Sequence, residues 1–305
     1  MRVLVHIHTF NDAAVIDRTI EALSRQTRPV DGILVVDNAS TDGTLERPSL
    51  KNVTVLRHTE NQGTSGAVHS GFRFALDEDY DWIWVFDADS VPEPDALAKL
   101  LDVYEGWPKD VQDKTAFLAC LNYNVQDGVP RYGGMFVGGR FAPIMQVSED
   151  CYPCHVTIWS GCLYRLAAVR QIGLPNPDYV LDWGEAEYGY RVMKAGFKGF
   201  TLQDAVLHHN YDHTANKPAD PKTGSTTTGF REFAPIRCYY TCRNVLYFGL
   251  YDFAESRFGF MGRSAFRVFL FQLSYLLRPR HHRDHILACL RGIWHGVTGN
   301  IAARY

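Results

Sequence analysis

The chain lacks any run of about 20 apolar residues, the length a membrane-spanning helix needs. Its most apolar stretch near the end, "FRVFLFQLSYLL", is roughly half that, so it cannot span. A second Cys-x2-Cys pair is also missing, so "CYPCH" at Cys151 to His155 makes neither a complete zinc site nor a convincing haem attachment. Buried cysteines beside a turn at Pro153, leading into a strand-like "VTIWS", read better. No internal repeat occurs, which excludes solenoids and propellers. A basic excess is absent too: the net charge is -3, against a general nucleic-acid binder. Seven cysteines are an odd number for a disulfide framework, and no signal peptide precedes the strand that begins at Arg2, so a reducing cytoplasm is expected.

What is present is core material. The 305 residues are 46% hydrophobic, enough for one large domain or two modest ones. Charge is uneven: from Glu255 onward eight arginines face Glu255 and Asp284, a net +6, so the preceding residues carry -9.

"RVLVHIH", "GILVVD", "VTVLR" and "WIWVF" read as successive strands. "NDAAVIDRTIEALSRQ" between the first two has Val15, Ile16, Ile20 and Leu23 on one helical face, with Asn11 as its expected cap. Alternation of strands and helices implies an α/β fold with a doubly wound, mostly parallel sheet over the first 120 or so residues. Further on, "DWGEAEYGYRVMKAG" reads as a helix and "FTLQDAVLHH" as an extended run. Residues 211–231 are rich in Gly, Pro, Ser, Thr and charge and almost free of aliphatics, which reads as a mobile loop, a linker or a lid. From 233 to 305 the chain reads as helical. Its basic, aromatic end either lies on a membrane surface or packs on the main domain with its arginines in water.

The fourth strand stops at "DADS". Asp87 and Asp89 point to one side of the pleat at its carboxyl end, where open α/β sheets place their ligand crevice. Asp, Ser and Pro are also ordinary turn residues, with Pro94 and Asp95 placed to start the helix of "DALAKLLDVY". Asp37 ends the second strand at the same edge. Acids gathered there suggest a hard divalent cation, which keeps its remaining positions for phosphate oxygens and water; the implied ligand is a nucleotide diphosphate.

"HTFND", "VVDNASTDGT", "ENQGTSG", "FDADS" and "DWGEAEYGYR", in that order, resemble the family 2 glycosyltransferases of GT-A fold over roughly residues 1–250. "WGEAEYGYR" and "YYTCRN" are most similar to the galactofuranosyl- and rhamnosyltransferases of bacterial cell-envelope polysaccharide. The resemblance implies a catalytic GT-A domain with a mixed central sheet over 1–232 and a C-terminal helical region over 233–305. It implies inverting transfer of a sugar from a nucleotide diphosphate to a hydroxyl of a glycan or polyprenyl-diphosphate-linked acceptor. By position, Thr9, Phe10 and Asn11 would cradle the base, Asp37 would accept from the pyrimidine N3–H, and Asn61 and Gly63 would line that pocket. Asp87, Ala88 and Asp89 form the DxD motif, with Asp87, Asp89 and His209 as ligands of Mn²⁺ or Mg²⁺ and His208 as the alternative imidazole. Glu185 would be the base that takes the acceptor proton, at the start of its helix. The commonest family pattern has a second acid before it, where this chain has Gly184; Glu187 lies on another helical face and does not replace it. Trp159, Gly161 and Trp183 would meet the acceptor, the tryptophans being equally suited to a core. Tyr240, Arg243 and Asn244 would neutralise the leaving diphosphate, with the preceding loop closing over the donor. The cytoplasmic side of the plasma membrane, with peripheral attachment, is the implied location.

Two other classes share these residues. "WVFDADS" also matches the aspartate nucleophile of haloacid-dehalogenase-like phosphatases, although a complete strand set precedes it here. Gly184 makes a sugar-nucleotide or glycan binder without turnover the non-enzymatic alternative.

Overall fold

The computed structural model describes residues 1–138, 140–209, 234–253 and 283–305. In chain order its strands are β1 Val3–Thr9, β2 Gly32–Asp37, β3 Thr54–Arg57, β4 Trp82–Asp87, β5 Val91–Pro92, β6 Thr115–Asn124, β7 Pro130–Arg131, β8 Gly134–Val137, β9 Arg140–Pro143, β10 Cys151–Cys154, β11 Cys162–Arg165 and β12 Lys198–His209. Its α-helices are α1 Ile16–Ser24, α2 Gly63–Asp77, α3 Ala96–Gly106, α4 Lys109–Lys114, α5 Leu166–Ile172, α6 Gly184–Lys194, α7 Pro235–Tyr247 and α8 Arg283–Val297.

Two compact units result. The first holds residues 1–180 and 184–209, the second residues 181–183 with the described part of the C-terminal region. The expected boundary at residue 232 and the loop of 211–231 lie outside the described residues, as does the apolar run before "RPRHHRDH". The separation of 181–183 from its neighbours in sequence had no signal in composition.

The first unit is built on one mixed sheet in the order β10-β12-β6-β11-β4-β1-β2-β3. β3, β2, β1 and β4 run parallel, as βαβ crossovers require. β11 enters antiparallel between β4 and β6, so beyond β4 the sheet is mixed. Alternate residues of each strand serve opposite faces. Val3, Val5 and Ile7 pack with α1 and α3, while Leu34, Val36, Ile83 and Val85 pack with α2. The four residues picked from their spacing, Val15 just before α1 and Ile16, Ile20 and Leu23 within it, are all buried. Phe72 of α2 sits among Trp159, Tyr164 and Tyr188, a cluster whose truncation to alanine at Phe72 would cost about 3–5 kcal/mol.

Two local expectations change. Asn11 does not cap α1, which begins five residues later. Asn11 instead holds φ +59, donates its N–H to Ser40 Oγ at 2.9 Å and accepts from Thr41 N at 2.8 Å. "CYPC" is itself a strand, and "VTIWS" makes only an isolated bridge at Val156. β10 lies at the sheet edge, where proline's missing N–H is tolerated, and Pro153 is exposed there.

In the second unit α7 and α8 pack together. The backbone of α8 comes so close that a Cβ at Gly292 would strike Tyr239 O, and one at Gly296 would lie 2.6 Å from Arg243 O. No described helix is long and apolar enough to cross a membrane.

Candidate active site

The carboxyl ends of β1, β2 and β4 lie side by side, with Thr9 opposite Asp37 and His8 opposite Asp87. Ligands of parallel sheets bind at this edge. After Asp87 the chain makes a short turn through Asp89 and Ser90 into β5, whose Val91 pairs with His208 of β12. This two-residue ladder brings together groups 119 positions apart: Ser90 Oγ lies 2.7 Å from His209 Nδ1.

Asp87, Asp89 and His209 each point a ligand atom into one place, all within 4.8 Å of one another. His209 Nδ1 is 3.6 Å from Asp87 Oδ2 and 3.4 Å from Asp89 Oδ1. Asp89 Oδ1 is nevertheless buried without a hydrogen-bond partner among the described residues. Burial lifts the Asp89 carboxyl to about 6, with Asp87 and Asp12 adding repulsion against the relief from His209. Asp87 goes the other way, down to about 2, because the pull of His8, with help from His209, outweighs its burial. Two carboxylates driven apart in this way, one with an orphaned oxygen beside an imidazole, fit a divalent cation: hard oxygen donors with one nitrogen suit Mn²⁺ or Mg²⁺. His208 faces the other side of the pleat and pairs with Glu93 Oε1 at 2.8 Å, leaving His209 as the ligand.

Hydroxyls brace this centre. Ser160 Oγ accepts from the Asp87 backbone N at 3.1 Å and donates to Ser90 Oγ at 2.7 Å. His8 lies directly against Asp87 Oδ1 through Nε2, and behind it His6 is buried, its ring stacked 5.6 Å away. Burial lowers the basicity of both imidazoles, but Asp87 overcomes it at His8, which is raised, and not at His6, which stays neutral. Gly71 of α2 leaves the room that His6 fills. Sequence reading passed over these residues. Their signal was two histidines at i and i+2 in a buried strand, but only the cross-strand register shows that one of them touches the DxD motif.

The base-cradle residues gather at the same edge. Phe10 is 45% exposed, so its ring is available to a ligand. Thr9 Oγ1 and the Phe10 N–H both go to Asp12 Oδ2, at 2.8 and 2.9 Å, which sets the loop. Asp37 is fully buried; its carboxylate accepts from Ser40 N at 3.1 Å and has Arg57 Nε at 3.4 Å. Asn61 Oδ1 accepts from Gly63 N at 2.8 Å. Gly63, at φ +73, starts α2 against Val180 O, an approach that no side chain would permit. Ala88 is buried and its carbonyl accepts from Thr19 Oγ1 at 2.7 Å, so it contributes shape and not a free acceptor.

Glu185 stands half-buried in the first turn of α6, where the helix dipole favours its charge. Glu187 is buried in an ion pair with Arg191, which also donates to the carbonyls of Ile172 and Leu174. At the position of the missing acid, a Cβ on Gly184 would come up against Ser65 Oγ of α2, a hydroxyl that can rotate away.

Several expected residues serve the fold instead. Trp159 is 2% exposed inside the aromatic cluster, so acceptor stacking gives way to a core role. Gly161, at φ +84, is hydrogen-bonded to Val85 O and Trp84 Nε1, and a Cβ would lie 2.8 Å from Leu207 Cδ2. It shapes the sheet. In the second unit Arg243 is wholly buried, donating to the carbonyls of Ile301 and Ala303 and to Asn244 Oδ1, with its guanidinium over the Tyr240 ring. Tyr240 is 3% exposed, and Asn244 Nδ2 donates to the carbonyls of Leu181 and Asp182. These contacts engage the three residues expected in the diphosphate clamp within their own unit. They secure the run into α6, where Asp182 and Trp183 hold positive φ and Asp182 is fastened by Arg237 and Thr241. Trp183 is half-buried against Phe248.

Comparison with known proteins identifies the family and the fold. The profile of Glycosyl transferase family 2 matches residues 4–173. The undecaprenyl-phosphate mannosyltransferase of Micrococcus luteus is 39% identical over 110 residues, 33% of this chain and 44% of that one. Galactofuranosyltransferase GlfT1 of Mycobacterium tuberculosis is 24% identical over 66% of this chain and 67% of its own. The N-acetylglucosaminyl-diphospho-decaprenol L-rhamnosyltransferase of the same species is 27% identical over 69% and 77%. The chain thus spans under half of the first relative's length and about two thirds of the second's. Among solved structures, a fragment of S. aureus TarS with UDP-GlcNAc superposes with TM-score 0.57 at 16% identity, covering 99% of this chain and 88% of that one. The Pyrobaculum calidifontis mannosyltransferase PcManGT with GDP-Man and Mn²⁺ gives 0.54 at 13% identity, covering 97% and 86%. The shared architecture is GT-A, and the phosphatase alternative falls with it. With more than half its length matched, the chain belongs to glycosyl transferase family 2.

Proposed function

We propose that the protein transfers a sugar, with inversion, from a nucleotide diphosphate donor to a hydroxyl of a glycan or polyprenyl-diphosphate-linked acceptor in cell-envelope polysaccharide synthesis. The observation that carries this reading is the convergence of Asp87, Asp89 and His209 around a buried carboxylate oxygen that has no hydrogen-bond partner among the described residues. These three would hold Mn²⁺ or Mg²⁺, which when bound supplies charge to the diphosphate as it leaves. The nucleotide would lie over the β1–β2 edge, with Phe10 against the base. Asp37 would take the base N3–H once the exposed Arg57 side chain swings off it. Asn61, Gly63 and Ala88 shape that floor.

Glu185 accepts the proton of the attacking hydroxyl. The N-terminus of α6 keeps its carboxylate ionised until the acceptor arrives. Trp183 is the remaining aromatic candidate for the acceptor. GlfT1 and the decaprenol rhamnosyltransferase, by their names, support galactofuranose or rhamnose on a lipid-linked glycan as the first donors and acceptors to test. Such an acceptor places the enzyme at a membrane surface.

The test is Glu185→Gln assayed with UDP-galactofuranose and dTDP-rhamnose, with Mn²⁺ and with chelator. Turnover should fall by about 10² to 10⁴ while donor affinity holds. Near-normal turnover in the variant would move the base elsewhere, and binding without turnover in the wild type would favour the non-catalytic binder.

A further inference from the structure

Helix α8 carries its large apolar residues on the wrong side for a protein wholly in water. The face seated on α7 is made of small residues, Ala288, Cys289, Gly292 and Gly296, all buried. Leu287, Leu290, Trp294 and Val297 point outward and are 52, 52, 67 and 48% exposed. At about 100° per residue they fall on one stripe some 80° wide, centred on the outward face. Helices that meet water present charge there.

Charge frames this stripe. Arg283 lies at its amino end and Arg291 on its flank, both exposed. Residues 283–305 hold Arg283, Arg291 and Arg304 against Asp284 alone, within the +6 of the C-terminal region. The 15-residue helix is about 22 Å long, too short to span the roughly 30 Å hydrocarbon core, so it suits lying in the plane of an interface. A tryptophan in mid-stripe with arginines at the edge is the composition of such a surface. A two-fold contact with a second copy would bring each stripe's arginines towards those of the other, whereas anionic headgroups would neutralise them.

We propose that Leu287, Leu290, Trp294 and Val297 seat α8 in the surface of an anionic bilayer, with Arg283 and Arg291 on its headgroups. The proposal rests on the lipid-linked acceptor read above and names the surface that would bring the enzyme to it.

The test is flotation of the full chain with vesicles of phosphatidylglycerol and phosphatidylethanolamine, against vesicles of phosphatidylcholine alone. The wild type should float with the first, and L290Q/W294Q should bind about tenfold more weakly or worse. Arg291→Gln should weaken binding to anionic vesicles and leave neutral ones unchanged. Leu290 and Trp294 face outward, so the double variant should match the wild type in melting temperature and donor affinity. A wild type that stays with the soluble fraction at low salt overturns the proposal. So does a double variant that floats as well as the wild type. Conversion of a dimer to a monomer in light scattering, with flotation intact, would assign the stripe to self-association and also overturn it. Flotation needs no donor and no turnover. Failure of the wild type to transfer sugar to any acceptor would therefore sink the functional reading separately.

Discussion

Arg243 is wholly withdrawn from water and Asp89 is so at one carboxylate oxygen, and they differ in what surrounds them. Arg243 has carbonyls and an amide oxygen for its donors and two aromatic rings beside it. Asp89 has a buried oxygen with no hydrogen-bond partner among the described residues and a second carboxylate as neighbour. A charge that is buried and satisfied holds a fold together; one that is buried and unsatisfied awaits a ligand. The sequence presents both as polar residues in recognisable motifs, and only their surroundings separate the two roles.

The sharpest way to break this contrast is to truncate each residue and see which property fails. Asp89→Ala should cut transfer by on the order of 10³, since the cation contributes several kcal/mol to the leaving group. The metal-free variant should melt no lower than the wild type, because a costly buried carboxyl has gone. Arg243→Ala should do the reverse. By stranding the carbonyls of Ile301 and Ala303 it should lose about 3–5 kcal/mol of stability in denaturant unfolding. At a temperature where it is folded, its donor affinity should be normal. If Arg243→Ala instead raised the donor KM in a stable protein, the clamp role would return.

His8 offers a smaller test on the same rim. It touches Asp87 and would not touch the cation, so it acts as a positioning residue. His8→Asn should raise the Mn²⁺ concentration needed for half-maximal turnover by about 10- to 100-fold, as loss of support behind a ligand does. Mn²⁺ saturation should restore most of kcat, which a folding defect would not allow.

Much of the rim was legible because its residues follow one another along the chain. A buried strand ending in two aspartates announces a carboxyl-end site from periodicity alone. The parallel order of the first four strands followed from alternation, whereas the antiparallel entry of β11 did not, because its four residues carry no direction. His209 was named through resemblance; what places it is the β5 ladder of two residues, too short to read. Trp159 and Trp183 look alike as aromatics near a motif, yet only the first is enclosed by Phe72, Tyr164 and Tyr188. Gly184 reads as a missing acid in the sequence, which carries no sign that Ser65 Oγ of α2 lies against it.

Proton linkage supplies the finest test. The Asp89 carboxyl, raised to about 6, keeps its proton in the fold over a range where the unfolded chain has released it. Its contribution to stability therefore falls as pH rises from the ordinary carboxylate range to about 6. Asp87, lowered to about 2, stabilises above that ordinary range, and the benefit is lost on acidification towards 2. A cation must displace the Asp89 proton, so its affinity should drop about tenfold per pH unit below 6.

Titration of donor nucleotide into the wild-type protein with Mn²⁺, and again with excess chelator, at pH 7 and pH 5, addresses the central claim most directly. The metal centre predicts tight binding at pH 7 that chelator abolishes, and Mn²⁺ affinity about tenfold weaker at pH 5. Nucleotide affinity indifferent to chelator at both pH values would contradict it.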